Sequence, residues 1–156
     1  MTLADLFAGR NVDIQAMQAR MRGLMAQEGL PYGQRTKTYN SRLAQELGKW
    51  GDTQPDGGSI HAALFRAYFV DGKNIGQLDT LVEIANQAGL SGAEARQVLQ
   101  TRRCREAVDA DWQRARALGI TGVPTFVANG RGVVGAQPYA VLEQLVLAAG
   151  GTPRQG

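Results

Sequence analysis

Cysteine is nearly absent from this chain. Cys104 is the one thiol in 156 residues, which excludes an intramolecular disulfide and any metal site built on cysteines. Histidine is as scarce. His61 stands alone, with no second imidazole at metal-ligand spacing, and reads as a surface or capping residue. No apolar run approaches the roughly 20 residues that a membrane-spanning helix needs, so no membrane partner is expected. Met1 to Phe7 offer neither a basic start nor a long apolar stretch, so no secretory leader is expected. The expected compartment is the cytoplasm, where a lone thiol stays reduced. An excess of charge is also lacking, because 17 basic against 14 acidic residues give only +3, with an isoelectric point near 9.4. Arg102, Arg103, Arg105, Arg114 and Arg116 fall on one expected helix but are spread around it, so a solvated face is expected and no nucleic-acid partner. No metal and no cofactor are expected.

What is present suits a single domain, 1–156. Hydrophobic residues make up 44% and charged residues 20%, as in ordinary soluble domains. The first ten residues read as a turn or short helix. Asn11 or Asp13 opens a helix to about Glu28, and its stripe of Ile14, Met17, Met21, Leu24 and Met25 reads as a core face. Leu30 to Tyr39 is extended or irregular, broken by Pro31 and Gly33. Asn40 or Ser41 caps a helix through Leu43, Leu47 and Trp50, and further helices follow over 59–70 and 74–88. Ser91 and Glu94 have the form of a capping box. It opens a short helix through Leu99, before another over 102–118 that packs through Val108, Trp112, Ala115 and Leu118. Residues 12–118 thus form a helical subdomain.

The pattern changes after Gly119. Val123 to Ala128 is short, apolar and β-branched. Asn129-Gly130 signals a two-residue hairpin turn, since both residues tolerate positive φ. Val133-Val134 is the return strand. Gly135-Ala-Gln-Pro138 leads into a last helix, with Pro138 at its first position and Val141, Leu142, Leu145 and Val146 on its buried face. Gly150-Gly151 ends that helix, and the final residues form a tail.

The run Leu118-Gly-Ile-Thr-Gly-Val-Pro-Thr-Phe-Val127, then Asn129-Gly130, then Val133-Val-Gly-Ala-Gln-Pro138, resembles the C-terminal half of the DsbA family of thioredoxin-like oxidoreductases, and its FrnE-like branch most. Leu64 to Phe69, Gly72 to Ile75 and Asn40 to Leu43 resemble that family's helical insert. The resemblance covers Ile14 to Ala149. Each motif is loose, but their order and spacing are specific. It implies an α+β, predominantly helical, partial DsbA-like thioredoxin fold, with residues 119–150 as the C-terminal half. It also implies a cis peptide bond before Pro124, and substrate binding by Val123, Pro124 and Thr125, where an extended peptide can pair as an added strand.

The departure from the family pattern is chemical. No Cys-x-x-Cys occurs, and the family's first strand, active-site helix and second strand have no counterpart, so the chain reads as truncated at its N-terminus. Dithiol exchange needs an attacking thiolate and a resolving partner. A redox-inactive relative of the disulfide oxidoreductases is therefore expected, with no catalytic residue. The alternative is a non-catalytic module that binds a peptide or protein and homodimerises through an open strand edge and exposed helix faces. Cys104, between Arg103 and Arg105 in the first turn of an expected helix, is a candidate reactive thiol, weighed against an incidental, half-buried cysteine.

Overall fold

The computed structural model describes residues 1–152. The chain falls into two compact units, one from Met1 to Asp109 and one from Ala110 onward. The tail expected after Gly151 lies, from residue 153, outside the described residues.

The first unit is helical. Helix α1 (Leu3–Leu6) is held by a capping box in which Thr2 and Asp5 each accept the other's backbone N–H. Asp13 caps α2 (Ile14–Gln27) through the Ala16 N–H. The chain then runs irregularly to α3 (Arg42–Gly51), where Asn40 accepts the Arg42 N–H. A 3-10 turn (Gly57–Ser59) leads into α4 (Ile60–Phe69). Helices α5 (Leu78–Gln87) and α6 (Gly92–Thr101) complete the packed set. Ser91 caps α6 by accepting the Glu94 N–H.

The core lies among α3 to α6. Leu47, Trp50, Ile60, Leu81, Ile84 and Leu99 are each at most 2% exposed and belong to one continuous apolar cluster. Burial of such side chains contributes roughly 1.5–3 kcal/mol apiece, so this set dominates the stability of the unit.

The sequence-based expectation fails at several places, and α5 starts at Leu78, four residues later than expected. The methionine stripe of α2 is not a core face: Met17, Met21 and Leu24 are 37–41% exposed, and α2 buries no residue. Helical spacing reports which residues share a face, not whether another element covers it. Helix α7 begins at Arg105 and runs to Ala117, three residues later than expected. Arg102 adopts φ 55°, a left-handed closure of α6. Along α7 only Val108 is buried, while Trp112 and Leu118 are about half exposed.

In the second unit, β1 (Thr125–Ala128) and β2 (Arg131–Val134) pair antiparallel, Thr125 with Val134 and Ala128 with Arg131. Asn129 at φ 46° and Gly130 at φ 74° make the turn, the doubly left-handed geometry that two-residue hairpins favour. Helix α8 (Tyr139–Ala148) follows, and both strands pack against it. Pro138 occupies its N-cap, one place earlier than expected. Of the expected buried face Leu145 is buried, Val141 and Leu142 are partly covered, and Val146 is half exposed.

Candidate functional site

Val123, Pro124 and Thr125 lie where the chain enters β1. The Val123–Pro124 peptide bond is cis. The Thr125 hydroxyl donates to the Gly122 carbonyl at 2.6 Å, and the Gly135 N–H donates to the Pro124 carbonyl at 2.8 Å. These two bonds tie down both sides of Val123 and leave Val123 itself 89% exposed. Among the described residues its backbone N–H and carbonyl carry no hydrogen bond. The result is an exposed backbone unit at the entrance to β1.

Cys104 lies in the turn between α6 and α7, not in the first turn of α7 as expected from the sequence. Its carbonyl accepts the Val108 N–H, so it closes the start of the helix. The side chain is half-buried against the apolar cluster of α3 to α6. This placement is that of a small packing residue. Cys104 and residues 123–125 belong to different units.

The strongest electrostatic feature escaped sequence reasoning. Glu46, on α3, is 1% exposed. Its carboxylate accepts two bonds from Arg102, at 2.8 and 2.6 Å, and one from Arg42 at 2.9 Å. Arg42 also reaches Asp109 at 2.7 Å and the Arg105 carbonyl. The Arg102 guanidinium, and then Arg42, hold the Glu46 carboxyl below the usual glutamate range despite the opposing effect of burial. In return Glu46 raises both arginines. The i,i+4 spacing of Arg42 and Glu46 was a readable signal. Arg102, 56 residues away from Glu46, was not. The cluster ties α3 to the α6–α7 turn, which also explains how Arg102 is kept at a backbone angle that a side chain disfavours.

His61 pairs with Asp52 at 2.6 Å, both half exposed. Among the described residues no group of three or more His, Cys, Asp or Glu side chains is placed to hold a metal ion, and no helix is long and apolar enough to cross a membrane.

A hairpin entered through Val-Pro and followed by a helix, after a helical region, matches the DSBA-like thioredoxin domain model over residues 4–147. The chain belongs to this family. Two solved structures share the fold of this DSBA-like chain. A candidate protein disulfide isomerase from Nitrosomonas europaea is 19% identical with a TM-score of 0.65, over 86% of this chain and 72% of that one. The cytosolic disulfide reductase DsbM from Pseudomonas aeruginosa is 23% identical with a TM-score of 0.54, over 78% and 70%. A curated relative, the uncharacterized Bacillus subtilis protein YwbO, is 32% identical over 94 residues, 58% of this chain and 46% of that one. The DSBA-like chain thus matches less than half the length of that relative. The chain carries a single cysteine, Cys104.

Proposed function

We propose that these 156 residues form a redox-inactive, FrnE-like relative of the DsbA-type disulfide oxidoreductases, which docks an extended peptide or protein segment at Val123, Pro124 and Thr125. One observation carries the reading. The only thiol is Cys104, set against the core in a helix-connecting turn, with no second thiol to resolve a mixed disulfide. The Gly135-Ala-Gln-Pro138 segment after β2 favours the FrnE-like branch. A cytoplasmic setting suits a chain with one unpaired cysteine.

The test is reduction of insulin or of glutathione disulfide by the 156-residue chain, beside Cys104→Ser. Both are expected to match buffer alone. Turnover by the wild-type chain that vanishes in Cys104→Ser overturns the proposal.

A second reading, homodimer formation, is favoured by the hairpin. Its sheet has two strands among the described residues, so the outer edges of β1 and β2 are unpaired, and such edges recruit other strands. Val127 and Val134, 46% and 55% exposed, lie on these strands. Sedimentation at micromolar concentration is expected to show a dimer that Val127→Lys weakens. A single 16.7 kDa species ends this reading.

A further inference from the structure

The extended segment before α3 carries a feature that the disulfide-oxidoreductase reading does not use. Residues 33–38 are fixed from both sides. The Gly33 N–H donates to the Phe69 carbonyl at 2.8 Å, and a Cβ on Gly33 would collide with the Val70 carbonyl oxygen. Leu3 donates to the Thr36 carbonyl, Thr38 donates to the Met1 carbonyl, and Gln18 donates to the Arg35 carbonyl. An open cleft of about 50 Å³, walled by Arg35, Lys37, Tyr39 and Tyr68, lies beside this segment, and among the described residues no carboxylate lines it.

Arg35 is arranged in an informative way. Its guanidinium carbon lies 4.5 Å from the Tyr68 ring centre and 5.3 Å from that of Phe69. The contact occupies the face of the guanidinium plane, so a partner for the group has to approach it from the edge. On that edge the Nε is buried and, among the described residues, has no hydrogen-bond partner. An unsatisfied buried donor costs free energy unless something accepts from it, and a guanidinium edge matches the two oxygens of a carboxylate or phosphate. Lys37 brings a second positive charge to the same cleft. The site sits at the C-terminal end of α4, where free carbonyls would repel an anion. Those of Arg66, Ala67 and Phe69 are already engaged by backbone N–H groups.

We propose that Arg35 and Lys37 form a binding site for a small oxyanion group, a carboxylate or a phosphate, with the stacked Arg35 edge as the principal donor. The stack on Tyr68 and Phe69 preorganises that edge, so little side-chain freedom is lost on binding.

The experiment follows the arginine Nε–H resonances by NMR while the full chain is titrated with inorganic phosphate, or separately with acetate, at ionic strength held constant with chloride. A saturable shift of the Arg35 resonance is expected. Phosphate alone, acetate alone or both producing it supports the site and identifies the oxyanion class. Backbone amides of residues 34–37 read the variants. Arg35→Lys keeps the charge, loses the paired donors, and is expected to weaken binding at least about tenfold. Lys37→Ala, at an exposed position, is expected to weaken it by about threefold. A linear, chloride-like response in the wild-type chain, or binding unchanged in both variants, overturns the proposal.

Discussion

The two units of this chain solve the problem of burial differently. Of the buried hydrophobic residues among those described, Leu145 alone lies beyond Asp109. The rest sit in the first unit, most of them in one cluster among α3 to α6. The second unit has an antiparallel hairpin and one helix, and leaves Val123, Val127, Val134 and Val146 substantially exposed. The first unit is therefore held by its own interior, and the second presents its apolar residues. A two-stranded hairpin on a single helix is marginal in water by itself. The contrast separates a unit closed around its own core from one whose apolar side chains face outward.

The contrast can be broken most forcefully at the core. Leu47→Ala is expected to cost about 3–4 kcal/mol, because Leu47 is fully buried. Leu145→Ala, on α8, should cost less than half of that. Urea unfolding followed through Trp50 fluorescence in a Trp112→Phe background checks both, since Trp50 is 1% exposed and belongs to the first unit. Equal shifts of the Trp50 transition would show that the two units do not differ.

The Glu46 cluster gives the next largest effect. Glu46→Gln is expected to destabilise the first unit by about 2–3 kcal/mol, at the low side for a broken buried pair because both guanidinium groups keep water contact. Its sign with pH is fixed by the direction of the shift. Glu46 sits below the ordinary glutamate value in the folded state. Its contribution is therefore full above about pH 4.3, the unfolded value, and is lost as pH falls through the lower folded value. The gap in stability between wild type and Glu46→Gln should be constant from pH 5 to 7 and close under acid. A gap that persists at low pH contradicts the assignment of the charge.

A smaller effect is expected in the hairpin. Gly130→Ala places a side chain at φ 74° and should cost about 1 kcal/mol, confined to the second unit. Hydrogen exchange is the measurement: amides of 125–134 should exchange faster, while those of α5 and α6 are unchanged. Smallest of all, Val134→Thr at a 55% exposed position should change stability by less than about 0.5 kcal/mol.

Much of this fold was legible because its signals are local. Asp13, Ser91 and Asn129-Gly130 act on their own backbone neighbours, so α2, α6 and the hairpin followed from a few adjacent residues. Residues 123–125 were legible through resemblance rather than through periodicity. The exposed stripe of α2 was not legible, since Met17 and Met21 have the same spacing whether covered or bare. The register of α7 slipped for a similar reason. Arg102 and Arg103 are good helix formers, and only the bond from Arg102 to Glu46 reveals why the chain turns there. Arg35 read as one basic residue among many until Tyr68 and Phe69 were folded beneath it.

The amino-acid sequence by itself determined the family, the helix-then-hairpin order and the chemical limit of a single thiol, because each of these depends on residue identity and short-range spacing. The tertiary structure decided which apolar faces are buried, which carboxylate is clamped and which guanidinium edge is left without an acceptor. Those properties depend on contacts between residues tens of positions apart, and no local pattern encodes such distances.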